Sequence, residues 1–145
     1  MSNEMPNPDD YTGLSRKALQ YSAAFVEVVN RLKTGAAPEA AWAPLEELIE
    51  VEAFERIGVF AAAETEVIGW QKYKSYISQY AGATSWEGTL RHITETPGRV
   101  ILELEERNMQ GGRTNFSNTV TIYEFNEAGK IHHLDVYVMP LGWKG

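Results

Sequence analysis

Two kinds of titratable side chain in this sequence could carry out acid–base chemistry, and they lie in stretches with β-strand alternation. Successive strand residues point to opposite faces of a sheet. On that rule Glu106, His92 and His132 each share a face with apolar neighbours on their own strand. Burial in general raises the pKa of a carboxylic acid and lowers that of an imidazole, which brings both towards neutrality, where proton transfer is efficient. The pattern predicts a general acid–base site built from these three residues; the alternative is that Glu106 lies at a solvated strand end beside Arg107.

A fourth candidate catalytic residue is Arg56, which lies in the imperfectly alternating stretch 51–60. Inside a pocket its guanidinium would bind a carboxylate or stabilise an enolate oxyanion. On an outer face it would instead pair with an exposed glutamate. The sequence leaves both interpretations open.

The sequence gives little support for a metal-binding or phosphate-binding site. His132 and His133 look like a metal-binding pair, but adjacent strand residues point to opposite faces, so both imidazoles reach one ion only if a bulge intervenes. The chain has no cysteine and no His-Glu-x-x-His motif. Gly111-Gly112 lies in a predicted hairpin rather than between a strand and a helix, where a phosphate-binding loop would be. We therefore expect no metal site and no cofactor.

The elements that must position these side chains follow from hydrophobic periodicity. Spacings of three and four predict helices over about 14–34, 38–49 and 66–81, and β-rich runs predict strands at 51–60, 86–96, 99–108, 113–125 and 130–139. Short turns join the last four strands, which must therefore pair antiparallel. The order predicts an α+β domain over residues 13–145, a strongly curved, cone-shaped antiparallel sheet covered on its concave face by three helices, after a disordered or mobile tail over 1–12.

A curved sheet under only three helices rarely closes, and the open end of the cone is the default small-molecule site. Aromatic residues that suit such an apolar pocket are frequent in the predicted helices and strands. Each of them could equally be plain core. The candidates for substrate binding are Tyr21, Phe25, Trp42, Phe54, Trp70, Tyr73, Trp86 and Tyr123.

The amino-acid composition limits the kinds of partner that we expect. The 145 residues include 13 Lys and Arg against 20 Asp and Glu, for a net charge of −7. Nucleic acids and anionic membranes both require clustered basic residues, so neither is expected as a partner. The polar, acidic N-terminus is unlike a secretory signal, and no apolar run reaches the ~18 to 20 residues of a spanning helix. We expect a cytoplasmic protein that binds a small hydrophobic molecule.

The closing segment 123–137 carries a family resemblance. An aromatic-rich strand, then Asn126-Glu127-Ala128-Gly129-Lys130-Ile131, then a strand ending near Tyr137, resembles the nuclear transport factor 2-like superfamily. More narrowly it is similar to the SnoaL-like branch, which includes polyketide cyclases, ketosteroid isomerase and limonene epoxide hydrolase. The resemblance covers residues 14–139 and implies a cone-shaped pocket and a homodimer joined through the outer face of the sheet.

The catalytic residues of these relatives are matched only in part. Ketosteroid isomerase has a general-base aspartate just after its first strand, where the matching stretch 60–63 here has no carboxylate. Limonene epoxide hydrolase holds its water with a tyrosine and an asparagine, whose places Phe54 and Arg56 take, and with an Asp-Arg-Asp set on later strands. Val136 matches the last aspartate of that set, and Glu106 could replace the remaining acid.

A polar row with the opposite strand phase is predicted on the outer face. His133 and Asp135 could form a catalytic dyad there, but the row more readily serves a dimer contact. Its members are Glu103, Glu105, Arg107, His133, Asp135 and Tyr137.

Two functions are therefore predicted. The first is an enzyme, a lyase, isomerase, cyclase or hydrolase, that acts by general acid–base chemistry on a hydrophobic or carbonyl-bearing substrate, with Arg56 and Tyr123 orienting an oxygen. The alternative is a non-catalytic ligand-binding or protein-association module with the same fold. A cone plugged by Trp42, Phe54 and Trp86 would favour the second.

Overall fold

The computed structural model describes residues 4–35, 38–60 and 64–145. Three helices, α1 (Gly13–Lys33), α2 (Pro38–Glu46) and α3 (Trp70–Ala83), follow a short 3-10 helix at Pro8–Asp10. Each long helix buries one apolar stripe, since residues three and four apart lie on the same face. In α1 this stripe includes Ala18, Tyr21 and Val28, all buried. Within the described ranges, no helix combines the length and the apolar character needed to cross a membrane.

Six strands form one curved sheet. They are β1 (Glu55–Gly58), β2 (Glu66–Gly69), β3 (Ser85–Thr96), β4 (Arg99–Gln110), β5 (Arg113–Phe125) and β6 (Ile131–Lys144), in the spatial order β2-β1-β6-β5-β4-β3. All neighbours pair antiparallel except β1 and β6, which are parallel. The α+β class and the helix-covered cone are confirmed, but the sheet is mixed rather than purely antiparallel, because its first and last strands run side by side.

Strand β2 replaces the predicted first turn of the third helix. Residues 66–69 pair with β1, and α3 begins only at Trp70 after Gly69. The β-branched pair Val67-Ile68 suits a pleated edge, and pairing with β1 buries Ile68. Tertiary pairing therefore outweighs the local helical period.

Two β-bulges decide which way the histidines point. The register of β3 against β4 shifts between Leu90 and His92, so His92 lies opposite Glu103 and is exposed. The prediction that His92 faces the helices is wrong, because the bulge inverts the alternation. The register of β6 shifts as well, between the pairs Phe125–Ile131 and Glu124–His133, which leaves His132 as the extra residue.

The segment before α1 packs onto the sheet from Glu4 onwards, where the sequence predicted a mobile tail. The Glu4 N–H donates to the Gly88 carbonyl at 2.8 Å. The first turn of α1 is held by Glu95 of β3, whose Oε1 accepts from the Ser15 N–H at 2.8 Å and from the Ser15 hydroxyl at 2.7 Å. An acidic group at this place satisfies amides that a helix N-terminus leaves without partners. These bonds tie α1 to the sheet that it covers.

Candidate functional site

A cavity of about 410 Å³ opens between α1, α3 and the concave face of the sheet. That volume lies within the range of small-molecule sites. Its walls are aromatic on the helical side and polar on the strand side. The lining includes Tyr21, Phe25, Arg56, Phe60, Tyr73, Tyr80, Trp86, Glu106, Asn108, Asn115, Ser117, Thr119, Thr121, Tyr123, Val136 and Trp143.

Arg56 lies at the closed end of this cavity. It is 5% exposed, and its Cζ lies 5.0 Å from the centre of the Phe60 ring and 5.2 Å from that of Tyr73. Its Nη2 donates to the Val59 carbonyl at 3.3 Å. Nε and Nη1 are buried without an acceptor, and no carboxylate of the described residues pairs with the guanidinium. The closed end therefore holds a cation whose charge the protein does not balance locally.

Two tyrosines, Tyr73 and Tyr21, lie near this cation. The hydroxyls of Tyr21 and Tyr73 are 3.4 Å apart, and the Tyr21 ring packs edge-on against Tyr123 at 5.7 Å. Burial, and secondarily the Tyr73 hydroxyl, raise the pKa of Tyr21 well above its ordinary value, with Arg56 opposing the shift. Burial raises the pKa of Tyr123 as well. Both phenols therefore stay protonated and can donate hydrogen bonds.

Glu106 lies on β4 at the other end of the cavity. The Trp86 Nε1–H donates to its Oε1 at 2.5 Å, and no described residue donates to its second oxygen. The indole lies across Gly88, where a Cβ would come within 2.5 Å of the ring, so a glycine is required for this position of Trp86. Two residues further along the same face, Asn108 accepts a short hydrogen bond from the Tyr80 hydroxyl. Burial, and next the charge of Glu106, raise the pKa of Tyr80.

Helix α3 sets the distance between the two ends. Tyr73 contacts Arg56, and Tyr80, seven residues later, contacts the Glu106 end. Seven residues of α-helix span roughly 10 Å. The sheet also separates the two ends, because Arg56 is level with Leu134, Tyr123 and Val100, and Val100 lies six residues, or roughly 20 Å of strand, from Glu106 along β4. The two charged groups therefore face different parts of any bound molecule. The open end lies beyond Glu106, where Trp143 is 46% exposed.

The structure brings together seven of the predicted site residues. The cavity is lined by Arg56, Glu106, Tyr21, Phe25, Tyr73, Trp86 and Tyr123. Trp42, Phe54 and Trp70 lie outside it, in an aromatic core cluster where the Trp70 ring is 5.9 Å from Trp42 and 5.5 Å from Phe54. Helix α2 covers this cluster. His92 and His132 also lie outside the lining, because of the two bulges.

Sequence reasoning missed Asn108, Tyr80 and Thr119 as parts of the site. Asn108 could have been found by extending the phase of Glu106 by two residues along the same strand. Tyr80 ends the apolar stripe of α3, and nothing in that stripe separates core from lining. Thr119 is buried on β5 with an unpaired hydroxyl. Of the stretch 60–63 that matches the place of the isomerase base, residues 61–63 lie outside the described residues.

The outer face carries the predicted polar row. His133 is held between Asp135, at 2.7 Å from its Nε2, and Glu55, at 3.1 Å from its Nδ1. Arg107 is 2% exposed and pairs with Glu105 at 2.9 Å. Tyr137 is 61% exposed. The use of this face in a homodimer stays a prediction.

Comparison with known proteins identifies the fold. No protein-family model matches the chain, and no curated protein matches it in sequence. Among solved structures, a SnoaL-like polyketide cyclase from Shewanella putrefaciens is similar at 9% identity, with a TM-score of 0.64 over 91% of this chain and 83% of the other. A nuclear transport factor 2-like protein from Anabaena variabilis has 17% identity and a TM-score of 0.61, over 91% and 96% of the two chains. A delta 5-3-ketosteroid isomerase from Mycobacterium sp. has 15% identity and a TM-score of 0.58, over 83% and 98%.

These likenesses define the class of structure. The chain has the cone fold of nuclear transport factor 2-like proteins, as the resemblance predicted. At such low identities the comparisons establish fold alone, and the chemistry must be argued from the residues in the cavity.

Proposed function

We propose that this protein binds a hydrophobic, carbonyl-bearing small molecule in the cone and catalyses proton transfer on it, with Glu106 as the general acid–base. The observation that carries the proposal is a carboxyl group on the wall of an aromatic cavity, with one oxygen held by Trp86 and the other without a donor among the described residues. Held by one oxygen, a carboxylate presents its other oxygen to a substrate in a fixed direction. Chemistry of this kind needs no cofactor.

Asn108 supplies a partner for the substrate oxygen. Its Oδ1 accepts from Tyr80, so its amide N–H groups are left to donate, and no described residue accepts from them. Glu106 and Asn108 are two residues apart on one face, which separates their Cα atoms by roughly 7 Å. Removal of a proton next to a carbonyl by Glu106 would move negative charge onto the carbonyl oxygen, which the Asn108 amide can stabilise. Enolisation of this kind is a step common to isomerases, lyases and cyclases.

One observation that would favour a non-catalytic module is absent from the described residues. A cone plugged by Trp42, Phe54 and Trp86 would favour it, but the cavity is open, and of these three residues only Trp86 lines it. A binding module becomes the better description if Glu106 proves dispensable.

The proposal is tested by proton exchange, which requires no knowledge of the product. Tetralone, an aryl ketone with exchangeable protons beside its carbonyl, is incubated with the protein in deuterated water, and deuterium incorporation is followed by NMR. We expect Glu106→Gln to slow the exchange by about a hundredfold or more. Glu105→Gln is the matched control, because Glu105 is the preceding residue on the strand and pairs with Arg107 on the outer face.

An exchange rate that Glu106→Gln leaves unchanged would remove the acid–base assignment. An equal loss in Glu105→Gln would show that the effect arises from the strand rather than from the cavity.

A further inference from the structure

We infer that the substrate is an elongated carboxylic acid, whose carboxylate binds Arg56 at the closed end of the cavity while its reacting carbonyl lies at the Glu106 end. This inference rests on the proposed function and names the class of substrate.

The first argument is the unbalanced charge of Arg56. An arginine side chain keeps its charge at any physiological pH, and burying a charge without a partner is costly. At 5% exposure, Arg56 has a single carbonyl acceptor within the described part of the chain, which provides no acceptor for the other two of its three guanidinium nitrogens. An anionic ligand would supply the missing acceptors, in the two-pronged geometry that guanidinium and carboxylate share.

A second buried arginine in the same molecule gives an internal comparison. Arg107 is 2% exposed and is paired with Glu105 at 2.9 Å and with Glu87 at 3.6 Å. The fold thus provides two carboxylates where a buried arginine serves the structure. At Arg56, on the wall of the cavity, it provides none among the described residues.

Distance separates this role from the stabilisation of an enolate. A general base must lie within hydrogen-bond reach of the proton that it removes. The enolate oxygen that then forms is only two bonds from that carbon. Arg56 is at least roughly 10 Å from the Glu106 end, as the helical spacing of Tyr73 and Tyr80 indicates. Arg56 therefore binds a different group of the ligand from the one that reacts.

The surroundings of Arg56 fit a carboxylate at the end of an apolar body. The hydroxyls of Tyr21 and Tyr73 lie 3.4 Å apart at this end, and Phe25, whose ring is 6.0 Å from that of Tyr80, lines the same cavity. A cavity of about 410 Å³ holds an aromatic ring with a short chain.

The test compares phenylbutyrate with phenylbutanol, its neutral analogue of similar length, by titration calorimetry. For the wild-type protein we expect the carboxylate to bind at least about tenfold more tightly, because a hydrogen bond to a charged group is stronger than one to a neutral group. Arg56→Gln should abolish this preference, and Arg56→Lys should retain part of it. Arg91→Gln is the control, since Arg91 is an exposed arginine on β3. Thermal unfolding of each variant verifies that it is folded.

Equal affinity of the wild-type protein for the two probes would overturn the inference, as would no measurable binding of phenylbutyrate or an undiminished preference in folded Arg56→Gln. Glu106→Gln separates this inference from the proposed function, because it should keep the preference for the carboxylate. If that variant also keeps full exchange activity, the proposed function fails while the carboxylate site stands. If exchange depends on Glu106 but no preference exists, only the carboxylate site fails.

Discussion

Replacing Arg56 by methionine should make the ligand-free protein more stable. Each of the two guanidinium nitrogens without an acceptor costs about 1 to 3 kcal/mol of desolvation. The bond to the Val59 carbonyl, worth about 1 kcal/mol, and two ring contacts, worth about 0.5 to 1 kcal/mol each, offset part of this cost. Methionine fills a similar space without a charge, so the middle of these ranges gives a net gain of about 1.5 kcal/mol. For a chain of this length, the unfolding temperature should rise by roughly 3 to 6 °C.

The assay is thermal unfolding followed by circular dichroism or calorimetry, with Arg107→Met as the matched control. That substitution removes an arginine of similar burial and leaves Glu87 and Glu105 without their partner, so it should lower the unfolding temperature. Opposite signs for the two variants are the expected result. If Arg56→Met destabilises the protein as much as Arg107→Met does, Arg56 is a structural cation and the reasoning about its unbalanced charge is refuted. A site residue that lowers stability is the usual cost of function.

Three further predictions concern other parts of the fold. Gly88→Ala should displace the Trp86 ring and lower the free energy of unfolding by about 1 to 3 kcal/mol. The same substitution should slow deuterium exchange into tetralone. An unchanged unfolding temperature together with an unchanged exchange rate would contradict the role of Gly88. Hydrogen bonds from Ser15 lower the pKa of Glu95, so its contribution is present above the ordinary carboxyl pKa and is lost as the pH falls through its folded-state pKa. Melting curves of Glu95→Gln should therefore show a deficit at neutral pH that vanishes in acid, whereas a deficit of equal size at both would count against the bond. Tyr137→Glu should convert a dimer into a monomer in light scattering, and a monomeric wild-type protein would remove that expectation.

Hydrophobic periodicity predicts which way a side chain faces wherever a strand or helix keeps one period along its whole length. β4 keeps its alternation without interruption, so the inward face of Glu106 was predictable from Leu102 and Leu104. The same reasoning placed Asp135 and His133 on the outer face, which the register confirms.

Sequence could not reveal features that depend on distant partners. The bulges at Arg91 and His132 each add one residue to a strand, and no residue type marked their places. Strand β2 forms only because β1 lies beside it. The sequence gives no means of distinguishing Trp42 and Trp70 from Trp86. Only the packing of α2 separates a tryptophan ring in the core from one that lines the cavity.

A structure of the protein crystallised with phenylbutyrate would test the central claim most directly. The account predicts the carboxylate at about 3 Å from the guanidinium of Arg56, with the phenyl ring extending towards Trp86 and Glu106. A ligand whose carboxylate points to the open end of the cone, with Arg56 still unpaired, would contradict it.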